Sequence, residues 1–162
     1  MKNIIRFLIF SMFFLNLNCG YEPIYQKNTE ISQNLLSVSV KNIKDRPGQI
    51  LRNLLINKLN PEGQRVIKKY NLIVELSESK TELGMRQDMS ATRTDLQISV
   101  KYTLRDLTNS KIVLEGNKKS VSSYDVVESV YATLVAEKEA RKKGIEVLSD
   151  DIFLDLAVFF RK

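Results

Sequence analysis

The sequence predicts an α+β domain in which two helices pack on one face of a four-stranded, mainly antiparallel sheet, with elements in the order β-α-β-β-β-α. Three observations predict it. Residues 96–104 alternate strictly, with Leu96, Ile98, Val100, Tyr102 and Leu104 apolar and Gln97, Ser99, Lys101 and Thr103 polar. That period of two belongs to an antiparallel strand with one face buried. Ile50, Leu51, Leu54, Leu55 and Leu59 instead fall on one helical stripe. From about residue 129 to 160 a longer helical pattern runs, in which Ala132, Ala136, Ala140 and Gly144 recur every four residues and Leu148, Ile152 and Leu156 continue the file.

The elements follow in order. Residues 1–18 read as a signal peptide of the lipoprotein type. Lys2 and Arg6 form its basic start, and the run from Phe7 to Leu15 forms its apolar core. That run is shorter than the roughly 20 apolar residues of a spanning helix. Cys19, the one cysteine of the chain, sits at the expected cut and is the candidate lipidation site. The places three before and directly before it hold Asn16 and Asn18, where a lipoprotein signal usually has Leu and a small residue. An ordinary signal peptide with an incidental cysteine, or an uncleaved anchor, is the alternative. Residues 19–34 then form the lipidated N-terminus and a polar tether, and residues 35–162 the α+β domain.

Within that domain a first strand is expected at about 36–43, with Val38 and Val40 on one face and Ser37, Ser39 and Lys41 on the other. Asp45 is the expected N-cap of the first helix, Pro47 suits its first turn, and Asn60-Pro61-Glu62-Gly63 stops it. A second strand runs over 70–77, and residues 78–93 break the alternation and read as a protruding hairpin connection. Asp106 to Ser110 make a turn. The return strand is expected over 112–122, with Gly116 at a bulge or an edge. In the last helix Glu137 and Arg141 make an i,i+4 pair, and Gly144 is a candidate kink. Glu75 and the polar residues of 97–103 leave the second sheet face hydrophilic, so it meets water or a wet partner.

Composition narrows the function. The chain of 162 residues has no histidine and no tryptophan. Ser-His-Asp and Cys-His catalysis and the usual zinc sites are thereby excluded. A Ser-Lys nucleophile or a carboxylate pair stays formally open, but no spacing supports either. The expectation is a binding protein and not an enzyme, with no cofactor and no metal. The formal charge of +6 includes Lys2 and Arg6 of an acid-free leader, which leaves +4 for residues 19–162. That is too weak for a nucleic-acid binder but suits an acidic partner or an anionic lipid surface.

Four stretches, in order, carry a family likeness. They are Cys19-Gly20-Tyr21-Glu22-Pro23-Ile24-Tyr25; then Asp45-Arg46-Pro47-Gly48-Gln49-Ile50-Leu51-Arg52-Asn53; then Ala91-Thr92-Arg93 leading into Tyr102-Thr103-Leu104; and last Tyr131-Ala132-Thr133-Leu134-Val135-Ala136-Glu137. Together they resemble the LptE family of lipopolysaccharide-assembly lipoproteins in its alphaproteobacterial form. The resemblance implies the same fold and an outer-membrane location, lipid-anchored on the periplasmic side and in a barrel lumen. It implies that the protein plugs and helps assemble an LptD-type β-barrel and takes part in lipopolysaccharide transport. It also implies lipopolysaccharide contact through basic side chains, here Arg86 with Arg93 and Lys138. Without the resemblance Arg86 and Lys138 read as solvated surface charges. The alternative function is an auxiliary lipoprotein of a periplasmic lipid-transport system.

Overall fold

In the computed structural model, which describes residues 30–85 and 91–161, four strands form one sheet and three helices accompany it. The elements are α1 (Glu30–Leu36), β1 (Val38–Val40), α2 (Asp45–Leu59), β2 (Tyr70–Met85), β3 (Ala91–Asp106), β4 (Ile112–Asp125) and α3 (Val130–Arg161). The strands lie side by side in chain order. β1 is parallel to β2, and the other two pairings are antiparallel, so the sheet is mixed. The α+β class and the order of its strands and two long helices agree with the sequence pattern.

The stretch expected as tether is helical from Glu30. Ile31 and Leu35 lie one turn apart, and Leu35 is buried in the core. The Ser37 hydroxyl donates to the Asn34 carbonyl at 2.6 Å and is itself buried, so Ser37 belongs to this turn and not to the open sheet face. β1 is correspondingly short, because the backbone before it is used by α1. Val38 and Val40 point into the core as expected.

α2 begins at Asp45, but Asp45 is not its cap. The cap position is Lys44, which makes no side-chain cap bond, and Asp45 has φ +63°. The turn is held from the other side: the Gln49 amide donates to Asn42 Oδ1 at 2.9 Å and to the Ile43 carbonyl. Gly48 sits against Ile43, where an added Cβ would meet Cγ2 at 2.6 Å. Leu51, Leu55 and Leu59 are buried, and the helix stops at Asn60 as expected.

β2 and β3 run eight and five residues past the expected strands, pairing through Leu83 with Arg93 and Met85 with Ala91. The sequence lost the alternation there for a physical reason. Beyond Leu76 the inward positions of β2 are Glu78, Lys80 and Glu82, which no apolar helix face covers. The ladder continues on backbone hydrogen bonds and polar side-chain contacts, which a hydropathy pattern does not record. β4 likewise extends to Asp125. The register irregularity lies between Leu104 and Arg105 and not at Gly116.

α3 is about 48 Å long at 1.5 Å per residue. Its Ala140–Gly144–Leu148–Ile152–Leu156 file is buried against β3 and β4, whereas Ala132, earlier on the same file, is exposed. Gly144 serves close approach: an added Cβ would lie 3.1 Å from Ile98 Cδ1. Gly116 does the same for Tyr102, its cross-strand partner, whose ring occupies the space a side chain would take. The Tyr102 hydroxyl donates to Asp155 on α3, and Lys118 pairs with the same carboxylate at 2.8 Å. Burial first, and then this bond to the anionic Asp155, push the phenol well above its usual range, so it stays a donor.

Candidate functional site

The hairpin end of the sheet gathers the charged and apolar groups that packing does not explain. Two facts of the chain build it. The inward face of β2 turns from Val74 and Leu76 to Glu78, Lys80 and Glu82, and the first turns of α3 lie beyond the apolar core.

Charge pairs tie these two elements together. Arg141 Nε donates to both Glu78 oxygens at 3.1 Å, and its Nη2 reaches Glu137 Oε1 at 2.6 Å. Lys80 Nζ lies 2.8 Å from Glu137 Oε2, and the Tyr124 hydroxyl donates to the same oxygen at 3.3 Å. The expected Glu137–Arg141 pair is thus present, inside a larger network. The Lys80 bond, opposed by burial and reinforced by Arg141, holds the Glu137 carboxyl below its ordinary 4.5. A group with a depressed folded-state value contributes stability in full above the unfolded value and loses it as pH falls through the folded one. The stability gap between the unsubstituted chain and Glu137→Gln is therefore expected to be widest near neutral pH, at up to about 1 kcal/mol for partly solvated pairs. It should close below pH 4.5. Urea unfolding at pH 7 and pH 3 measures it, and a gap independent of pH contradicts the assignment.

Beyond the network the first turns of α3 are apolar and open. Val130 is 73% exposed, Tyr131 78% and Leu134 59%. Ser129 starts the helix, its carbonyl accepting from Thr133 N at 3.1 Å, and the Thr133 hydroxyl bonds both the amide and the carbonyl of Val127.

Of the residues singled out in the sequence, Cys19 and Arg86 lie outside the described residues. Arg93 is exposed on the open sheet face, opposite Leu83 and Asp125. Lys138 is exposed on α3, beside Glu137 of the network. Both stand at the hairpin end, but the sheet separates them, since Arg93 points away from the helix layer. Sequence reading missed Glu78 and Lys80. The signal for them was there, in charges that continue the period-two face of Leu72, Val74 and Leu76.

The open sheet face is mostly polar, interrupted by Ile73 and Leu83 on β2 and Val121 on β4. Ser77, Ser79 and Thr81 of β2 face Ser99, Gln97 and Asp95 of β3, and Lys101 sits between Glu75 and Asn117. No described element covers it. At the opposite end from the hairpin, a cleft of about 560 Å³ opens between α1, the end of α2 and Phe153, with Leu35, Leu59 and Val66 in its wall and Lys58 and Lys69 at its rim. Among the described residues no three acidic or cysteine side chains converge as a metal site, and no helix is long and apolar enough to cross a membrane.

Comparison with known proteins supports the fold. No family model matches the chain. The uncharacterised protein RP188 of Rickettsia prowazekii is 27% identical over 118 residues, 73% of each chain. Among solved structures, a candidate lipoprotein from Caulobacter crescentus superposes with a TM-score of 0.66 at 24% identity, over 81% of this chain and 96% of its own. A minor lipoprotein from Acinetobacter baumannii gives 0.61 at 18% identity, covering 75% and 90%. Rare lipoprotein B from Shewanella oneidensis gives 0.57 at 14%, covering 75% and 92%. The chain therefore has the fold of these bacterial lipoproteins.

Proposed function

We propose that the protein is an LptE-type lipoprotein, anchored in the outer membrane through an acylated Cys19, that plugs and helps assemble an LptD-type β-barrel during lipopolysaccharide transport. The observation that carries the reading is the open sheet face, mostly polar apart from Ile73 and Leu83 on β2 and Val121 on β4, with no described element over it. A face of this kind suits a wet cavity, because burying it against an apolar surface would strand its hydroxyls and charges. The leader and Cys19, together with the fold shared with rare lipoprotein B, support the same reading. The hairpin end suits an amphiphile. On the helix side Val130, Tyr131 and Leu134 offer apolar contact and Lys138 offers charge to phosphate, while on the open sheet face Arg93 offers bidentate hydrogen bonds of its own. The role is binding and assembly without catalysis.

Affinity purification of the native protein from detergent-solubilised outer membranes tests it. A large β-barrel should co-purify, and depletion should lower the assembled level of that barrel. Cys19→Ser should remove the acyl modification, seen by mass spectrometry, and release the protein from the membrane. Recovery of an inner-membrane lipid transporter in place of a barrel would replace this reading with the auxiliary-lipoprotein one.

A further inference from the structure

β2 carries a long backbone edge with no partner among the described residues. β1 covers only Tyr70 to Leu72, and Lys41 N donates to the Leu72 carbonyl as the last bond before the chain leaves for α2. Tyr70 N also points to that side, toward the Ser37 carbonyl. A strand residue directs its N–H and C=O to the same side, and the side alternates along the strand. The even-numbered residues Val74, Leu76, Glu78, Lys80, Glu82 and Gly84 therefore present donors and acceptors to an open edge, while the odd-numbered ones bond β3. An open edge of this length is a template for another strand.

We infer that this edge pairs with the same edge of a second copy, antiparallel about a two-fold axis at Ser79. Two independent features select that register. The free stretch runs from Val74 to Gly84, and Ser79 is its midpoint, so only this register uses the whole edge. It also sets Glu78 against Lys80 of the other copy, and Lys80 against Glu78; both are already held by Arg141 and Glu137 of α3, so the cross-copy pairs would extend that network across the axis. The neighbouring registers are opposed by charge: centring on Glu78 faces Glu78 with itself, and centring on Lys80 faces Lys80 with itself and Glu78 with Glu82. Opposite charges directly across a strand pair stabilise it, and like charges destabilise it. On the outer face Ser77 meets Thr81, and Ser79 meets Ser79. α3 packs mainly over β3 and β4 and reaches β2 through Glu137 and Arg141, on the inner face of the strand and not across its edge, while α2 packs on β1, β2 and α3. The contact is isologous and closes at two copies. It is a property of the isolated chain and does not rest on the barrel reading.

The test uses purified full chain carrying Cys19→Ser. Light scattering should give twice the chain mass, and Glu82→Pro should give the monomer. The Glu82 N–H points to the open edge, so proline there spares the β2–β3 ladder, and an unchanged circular dichroism spectrum verifies the fold. Ser79→Cys in the same background should form a covalent dimer about ten times faster than Ser77→Cys, because only position 79 faces its own copy, in a non-hydrogen-bonded pair with Cα atoms ~4.5 Å apart. A monomer at the highest soluble concentration overturns the inference, and so does oxidation of Ser79→Cys no faster than that of Ser77→Cys.

Discussion

Gly116→Val is expected to destabilise the domain by about 2–3 kcal/mol, the upper part of the range for forcing extra carbons into a packed site. A Cβ at position 116 would meet the Tyr102 ring, with Cε1 at 2.8 Å. The ring has nowhere to retreat: Tyr102 is 2% exposed and its hydroxyl is held by Asp155 of α3. Tyr102→Ala alone should cost about 3–5 kcal/mol, as for other large aromatic truncations in a core. The double variant should lose less than the sum of the two, by about 0.5–3 kcal/mol, because the valine enters the space the ring vacates. Asp155 keeps Lys118 as a partner throughout, so no buried charge is left unpaired to confuse the comparison. Urea unfolding of the four proteins measures the cycle. Strictly additive losses would mean that Gly116 and Tyr102 do not share this space.

Residues 96–104, 45–59 and 130–161 were legible because each buries one face against a continuous core. Burial writes a period into the sequence, and Leu96 to Leu104 and Leu148 to Leu156 carry it. The misreadings fall where burial is not what forms the element. Residues 78–85 and 91–95 are strand through backbone pairing, with Glu78, Lys80 and Glu82 where an apolar face would have continued. Glu30 to Leu36 is too short to display a period, and only Ile31 and Leu35 mark it. Asp45 has the chemistry of an N-cap, but the backbone gives it φ +63° and leaves closure of the turn to Gln49.

The candidate site was legible in part for the same reason. Arg93 and Lys138 came from motif likeness, which orders residues along the chain but does not assign them to faces. The alternation that buries Thr94 and Leu96 turns Arg93 to the open side, and a count by twos from Leu96 gives that result. The network at Glu137 was half visible, because an i,i+4 pair within one helix is local. Its links to Glu78 and Lys80 join residues 63 and 57 positions apart, and only the packing of α3 over the sheet brings them together.

Leu148→Ala and Leu154→Ala should separate the two faces of α3. Six residues apart on a helix place these side chains about 120° short of a full turn from one another, on different sides of the axis. Leu148 is fully buried in the core, and Leu154 is 49% exposed beside Val158. Removing the buried leucine takes away its transfer free energy and leaves a cavity under a helix pinned by Lys58–Asp150 and by Asp155, which limits collapse. A loss of about 2–5 kcal/mol is expected for Leu148→Ala and less than about 0.5 kcal/mol for Leu154→Ala. Denaturant midpoints at constant slope measure both. If the two variants lost equal stability, the Leu154 side would be core in solution, and α3 would have to be rotated. That rotation would also move Glu137 and Arg141 away from β2, so the charge network and the helix orientation stand or fall on the same pair of measurements.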